Sequence, residues 1–328
     1  TNKMKRNTFK NNFKYFNGAV LLFVIFFISI LSSVSMAEDI KKTAKTKLKN
    51  ELDNLSNSYI EKSVNYIQSL PLKFFGNEIK TKEINISLEN NTKPKIGVLF
   101  LTPFFDSTKI EDTFFMQNSL SHRDNRTTIN TGLGYRKLTM DNNLLIGVNG
   151  FYDHEFPYNH GRTSLGLEAR TSFGQINANE YWSTRDWVTA KSSDLERALS
   201  GHDIEASIPI PYMNWSNLSY KKFHWYGNNI ENIGGSETSL TAVLPMMPNL
   251  SIKINRFRYN SSDTEDKDTL TLSYIYNNSK KKLGTNSLIS KNAYQLKSME
   301  NSRFDKIKRE NEIIKEVDTN GTFSFKGV

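Results

Sequence analysis

The sequence predicts an all-β membrane protein organised as an antiparallel transmembrane barrel of about twelve strands. The first observation is a strict two-residue alternation between Arg126 and Arg170. Ile129, Thr131, Leu133 and Tyr135 share one face of a strand, and Asn130, Gly132, Gly134 and Arg136 share the other. Ile146, Val148, Gly150 and Tyr152 alternate in the same way with Gly147, Asn149, Phe151 and Asp153, as do Leu165, Leu167 and Ala169 with Ser164, Gly166, Glu168 and Arg170. A soluble sandwich also alternates, but it turns its polar face to bulk water. A membrane barrel gives its apolar face to lipid and its polar face to an interior. The second observation is the number of such runs after Thr81, about twelve and even, each near the roughly 9–11 residues a tilted spanning strand needs. The third is that connections alternate in length. LTMDNN, TSFG, PIPYMN and LPMMPN are compact, whereas Trp182–Gly201, Tyr226–Ser236 and Tyr259–Lys267 are longer, polar and loosely built. Short turns belong on the periplasmic side and long loops outside.

In chain order, Lys3, Lys5, Arg6, Lys10 and Lys14 precede the apolar run Ala19–Leu31, and SSVSMA then supplies the small residues Ser35 and Ala37. That is the order of a secretory signal peptide, residues 1–37, cleaved after Ala37. An anchoring helix is the alternative, but the run is short of the roughly 20 residues that span a bilayer. Thr1 is not an initiator, so translation starts at Met4 or the sequence is a piece of a longer one. In residues 38–80, Leu48, Leu52, Leu55, Tyr59, Val64, Ile67 and Leu70 recur at helical steps, which predicts one or two amphipathic periplasmic helices ended by Pro71. A dimerising coiled coil would need a sustained heptad, which this spacing lacks.

Residues 81–276 make the barrel. Its strands centre on Glu83–Leu88, Ile96–Phe104, Thr113–Leu120, Thr128–Leu138, Leu144–His154, Thr163–Thr171, Gln175–Trp182, Asp203–Ile208, Leu218–Trp225, Thr238–Leu244, Leu250–Tyr259 and Thr269–Tyr276. Tyr135 and Tyr152 at strand ends suit an interfacial aromatic girdle, although in a soluble protein they would be core. The inward faces bring Arg136, Asp153, Glu168 and Arg170 together with Asn149, Asn177 and Asn179, and with Asp203 and Glu205 on a further strand. Charge in a closed interior must be paired or hydrated. Arg136 and Arg170 are therefore expected within reach of Asp153, Glu168 or Glu205, in a polar network that fixes register and narrows the pore.

The formal charge of +9 would raise nucleic acid as a partner, but its distribution argues otherwise. The signal segment and the tail 277–328 each carry +5, which leaves −1 for the barrel and its helical lead-in. No basic stripe crosses the folded region. Cys is absent, which is compatible with an oxidising envelope compartment. Acid and imidazole are adjacent in sequence at Asp153-His154, His122-Arg123-Asp124 and His202-Asp203. None is accompanied by a nucleophile motif, a metal-ligand spacing, a P-loop or a dinucleotide fingerprint, so the sequence points to no enzyme, metal or cofactor.

The runs DNRTTINTGLGYR, DNNLLIGVNGFYDHEF and GRTSLGLEAR, in that order, resemble the barrel translocator of the inverse autotransporters, the intimin and invasin family. The tail stretch NAYQLKSMENSRFDKIKRENEIIKEV resembles the segment that follows that barrel. Ser302, Arg303, Phe304, Asp305, Arg309, Asn311, Ile313 and Ile314 occupy its pattern, with Phe304 in place of the usual Tyr and Ile307 in place of Val. The resemblance implies a twelve-stranded bacterial outer-membrane barrel surrounded by lipid. It further implies insertion by the barrel-assembly machinery with periplasmic chaperones, and a linker, within 277–328, that returns through the lumen and leads an exported passenger to the surface. A solvated periplasmic helix over Gln295–Lys315 is the alternative that composition allows. After Val317 only DTNGTFSFKGV remains, too short to fold a receptor-binding domain, so the passenger is expected to be missing or truncated. Adhesion to a host or surface ligand is implied by the family, with no ligand named by these residues. Binding through the long loops, or a small diffusion channel, are the competing readings.

Overall fold

A computed structural model describes residues 79–89, 92–104, 110–190, 194–243, 248–260, 265–277, 289–319 and 322–326. The signal segment with its cleavage at Ala37, and the helices expected before residue 79, lie outside the described residues. The strands are β1 (Thr81–Glu89), β2 (Lys95–Phe104), β3 (Asp112–Arg123), β4 (Arg126–Thr139), β5 (Leu144–Phe156), β6 (His160–Arg170), β7 (Gln175–Ser183), β8 (Val188–Thr189), β9 (Leu195–Ala198), β10 (Ser200–Ile210), β11 (Met213–Tyr226), β12 (Ile233–Val243), β13 (Leu250–Tyr259), β14 (Lys267–Asn277), β15 (Lys315–Thr319) and β16 (Thr322–Lys326). Twelve of them, β1–β7 and β10–β14, form a closed antiparallel barrel. β14 closes it against β1, from Thr81 opposite Asn277 to Glu89 opposite Thr269. Closure leaves no sheet edge unpaired, which a spanning β-structure requires.

Burial along the strands runs opposite to that of a soluble protein. In β4, Arg136 is 1% exposed while Leu133 is 55% exposed. In β6, Arg162, Glu168 and Arg170 are buried while Leu165 and Leu167 face outward. Apolar side chains outside and charges inside mean that the surrounding medium is lipid. Exposed aromatic residues mark both ends of the barrel: Tyr152, Phe156, Trp182 and Tyr226 at one, Phe114, Phe173 and Tyr212 at the other. No described helix is long and apolar enough to cross a membrane.

The two ends differ in their connections. The end where β1 starts, the lower end, has the tight turns Met140–Asn143, 171–174 and Pro211–Tyr212. The upper end carries the loops between β7 and β10, β11 and β12, and β13 and β14, together with the two-residue turn Asp124–Asn125. Both residues of that turn have positive φ, 47° and 63°, the geometry that matches strand twist in a tight hairpin and that Asp and Asn tolerate best among residues with a side chain.

Two features depart from the sequence reading. The loop Trp182–Gly201 is not loosely built throughout. Its β8 and β9 pair with β15 and β16 of the tail in a second, four-stranded sheet of order β16-β15-β9-β8. The ladder partner of β9 lies over a hundred residues away, with Val317 opposite Glu196, so the four residues LERA carry no strand signal of their own. The inward face is also not uniformly polar. Phe115, Phe151, Tyr181, Phe223, Trp225 and Phe257 are buried inside the barrel. Gly132 and Gly134 make room for two of these rings: a Cβ on Gly132 would lie 2.3 Å from the Phe151 ring, and one on Gly134 would lie 2.4 Å from that of Phe115. The glycines of β4 are therefore slots for aromatic rings projecting from β5 and β3.

Candidate functional site: the occupied lumen

An extended chain inside a barrel has no ladder partner, so its N–H and C=O groups must find side chains on the wall. The tail of this protein is such a chain. Met299 donates its N–H to the Asn142 carbonyl at the lower end, at 2.7 Å, and a short 3-10 turn follows at Glu300–Phe304. Beyond it the chain as far as Ile314 holds bends and no helix, which removes the solvated helix over Gln295–Lys315. Arg303 is anchored at the mouth by Nη1 to the Ile110 carbonyl and Thr113 Oγ1, both at 3.3 Å. Ser302 lies within the turn, its N–H donating to Met299 and its carbonyl accepting from Asp305 N–H. Phe304 is buried with Leu101, Phe115, Phe151 and Ile307.

From Asp305 to Ile314 the chain runs up the lumen. Arg136 Nη1 donates to the carbonyls of Arg303 (2.7 Å) and Asp305 (2.6 Å). Arg170 donates to the Lys306 carbonyl (3.0 Å), Asn179 to that of Lys308 (3.1 Å), Arg162 to that of Glu310 (2.7 Å) and Asn130 to that of Asn311 (3.0 Å). The N–H groups are met as well: Ile307 donates to Gln117 Oε1 and Glu310 to the Tyr181 hydroxyl. The side chains of the tail go to wall charges. Lys306 reaches Glu83 (2.7 Å), Lys308 reaches Glu205 (2.6 Å), and Glu312 pairs with Lys95. Arg309 reaches Asp153 at 2.7 Å and also donates to Asn311 Oδ1. At the upper mouth Ile314 is enclosed by Tyr181, Leu199, Phe223, Trp225, Ile233 and Phe257.

Seven of the nine wall residues singled out from sequence lie on two registers, Arg136 standing level with Glu168 across Gly147, while Asp153 and Arg170 lie on neither. Glu168, Asn177 and Glu205 are successive cross-strand partners, and so are Asn149, Gly166, Asn179 and Asp203. Arg136 Nε and Arg170 Nη2 both converge on Glu168, at 2.6 and 2.7 Å. Asp153 and Glu205 have other partners: Asp153 takes Arg162 and Arg309, and Glu205 takes Lys308. Asp203 accepts from Tyr181 and Asn179. Arg162, Gln117, Asn130 and Lys221 take part in the network without having been singled out. Their positions on inward faces were visible, but each also has a partner in the tail, Glu310 for Arg162 and Lys221, Ile307 for Gln117 and Asn311 for Asn130.

A further cluster was not legible in the sequence at all. Glu155, His160 and Glu196 meet at the upper mouth with one ligand atom each within 4.8 Å of the others, a set that could hold a metal ion. Both carboxylates are already taken by cations. Arg126 reaches Glu155 at 2.7 Å and Glu196 at 2.7 Å, and Lys315 reaches Glu155 at 2.7 Å. Burial opposes ionisation of Glu196, but hydrogen bonds from His160 and Arg126 hold its carboxyl down to about 2. A metal would have to displace two basic side chains, so the arrangement is best described as a clasp between loop, barrel and tail. Of the adjacent acid–imidazole pairs, His154 faces away from buried Asp153 and hydrogen-bonds Asn159 at 3.3 Å, while His202 bonds the Tyr226 hydroxyl at 2.9 Å.

A family model described as inverse autotransporter, beta-domain, matches residues 28–311. Among curated proteins, the inverse autotransporter adhesin YeeJ of Escherichia coli (strain K12) is 30% identical over 136 residues, 40% of this chain and 6% of that protein. Invasin of Yersinia enterocolitica is 30% identical over 151 residues, 45% of this chain and 18% of the relative. Intimin of Escherichia coli O127:H6 is 25% identical over 246 residues, 72% of this chain and 25% of the relative. The chain thus spans a quarter or less of these three proteins. A solved chain from work headed "Unveiling the Mechanism Behind the in-meso Crystallization of Membrane Proteins" superposes with a TM-score of 0.62 at 22% identity, covering 74% of this chain and 100% of that one, and so shares the fold.

Proposed function

This chain belongs to the inverse autotransporter β-domain family of bacterial outer-membrane barrels, and on that premise we propose that it passes a C-terminal segment through its own lumen to the cell surface and holds it there. The observation that supports this most is the course of Asp305–Ile314 from the lower to the upper mouth, with main-chain carbonyls met by Arg136, Arg170, Asn179, Arg162 and Asn130. With tight turns at the lower end and the longer loops at the upper, the lower mouth is periplasmic and the upper one external. The signal peptide 1–37 addresses the chain to the envelope, the segment 38–80 stays in the periplasm, and the barrel-assembly machinery with periplasmic chaperones inserts the barrel. By likeness to relatives named adhesin and invasin, the delivered segment serves attachment. This reading assigns the chain no catalytic step and no cofactor.

A diffusion channel is the weaker reading, because aromatic and aliphatic side chains close around Ile314 and around Phe304 with Ile307. The test is an epitope tag placed after Val328, probed by antibody and protease on intact and permeabilised cells. Detection on intact cells is expected. Detection only after permeabilisation would end the export reading.

A further inference from the structure

The tail segment is held in the lumen in two chemically different ways. Asn130, Arg136, Arg162, Arg170 and Asn179 donate to main-chain carbonyls. Every residue has a carbonyl, so these donors grip an extended chain whatever its sequence. The wall carboxylates are not indifferent. Glu83 takes Lys306, Glu205 takes Lys308, Asp153 takes Arg309 and Glu155 takes Lys315, all at 2.6–2.7 Å. These acids stand on β1, β10 and β5, at different heights and on different sides, so one axial position of the chain satisfies all of them.

We propose that these pairs form a stop register that arrests a traversing polypeptide at one position, the recognised ligand being an extended segment with cations at the relative spacing of Lys306, Lys308, Arg309 and Lys315. The inference rests on the translocator reading. A slip of one residue puts each side chain in the place its neighbour held, and so in front of a different wall group. One step toward the lower mouth brings Glu310 to the place of Arg309, against Asp153. One step toward the upper mouth brings Asp305 to the place of Lys306, against Glu83. Each slip sets acid against acid where an unpaired charge is costly, while the main chain merely presents its next carbonyl to the same donor. The same wall can therefore let varied sequences pass and still halt at this one.

The test uses the purified full chain in planar bilayers, with hydrogen exchange followed at the Ile307 and Glu310 amides. Wild type is expected to stay closed and protected. Lys308→Glu, which alters only the tail, is expected to open the pore and speed exchange about a hundredfold, because it sets two carboxylates together in a partly buried place. Adding Glu205→Lys is expected to restore both. A Lys308→Glu protein as closed as wild type, or a swap that does not restore closure, overturns the register. If Glu205→Lys prevents barrel folding by heat-modifiable gel mobility, Lys306→Glu opposite Glu83 takes its place, and an unchanged pore there overturns the proposal too. The tag after Val328 reads the translocator separately. A tag confined to the periplasm alongside working swaps would overturn export and arrest together, leaving a static plug.

Discussion

Arg309 meets Asp153 inside the barrel through two parallel hydrogen bonds, Nη1 to Oδ1 at 2.9 Å and Nη2 to Oδ2 at 2.7 Å, with both side chains wholly buried. The guanidinium also lies 4.3 Å from the Phe151 ring centroid. Asp153 is shared, since Arg162 reaches the same carboxylate at 2.8 Å and Asn130 donates to it.

That sharing makes the two partners unequal. Asp153→Ala strands two buried guanidinium groups and is expected to cost about 3–5 kcal/mol, whereas Arg309→Ala leaves Asp153 paired with Arg162 and is expected to cost about 1–3 kcal/mol. Equilibrium unfolding in lipid vesicles measures both. Equal losses would mean that Arg162 does not compensate the carboxylate.

The glycine slots of β4 predict a coupled pair. Gly132→Ala drives a Cβ into the Phe151 ring and is expected to destabilise the barrel by about 1–3 kcal/mol. Combined with Phe151→Ala the methyl has room, so the two changes should be strongly non-additive in the same unfolding assay. Additive losses would show that the ring is free to move aside.

On the outer surface Leu165 sits at the centre of β6 and is 50% exposed. Leu165→Arg places a charge near the bilayer midplane and is expected to cost about 2–4 kcal/mol. The same change tested in detergent and in vesicles separates lipid from local packing, because a penalty confined to vesicles belongs to the bilayer.

The clasp at the upper mouth predicts a pH dependence. The Glu196 carboxyl is held down to about 2 from an ordinary 4.5. A depressed carboxylate contributes stability that is complete above the unfolded value and lost as pH falls through the folded one. Pairing of β9 with β15 should therefore be intact above pH 4.5, weaken as the pH falls from there, and lose the Glu196 contribution by about pH 2. Amide protection of Arg197 and Glu316 across that range is the measurement, and Glu196→Gln should flatten the profile.

Much of the architecture was legible because it is local. A period of two is printed in each strand, and the lipid it meets is declared by Leu133, Leu165 and Leu167 lying opposite Arg136, Glu168 and Arg170. The site was legible only as a set of inward positions. Arg136 of β4 and Arg170 of β6 meet at Glu168 of β6, across the intervening β5, while Asp153 and Glu205 are completed by residues of the tail. Phe115, Phe151 and Trp225 belong to inward positions that alternation alone would have filled with polar groups. Their presence makes sense only once a chain occupies the pore and needs an apolar wall around Phe304, Ile307 and Ile314.

By itself, then, the sequence determined the number of spanning strands, which face meets lipid and which end carries the long loops, since each depends on residues within one or two turns of one another. Tertiary structure alone decided that Asp153 belongs to Arg309, 156 positions away, that β9 receives β15, and that Glu155, His160 and Glu196 meet. The physical reason is register. Which tail residue stands level with which wall residue is fixed by the closure of β14 on β1 and by the height at which the tail comes to rest, and no local pattern encodes either.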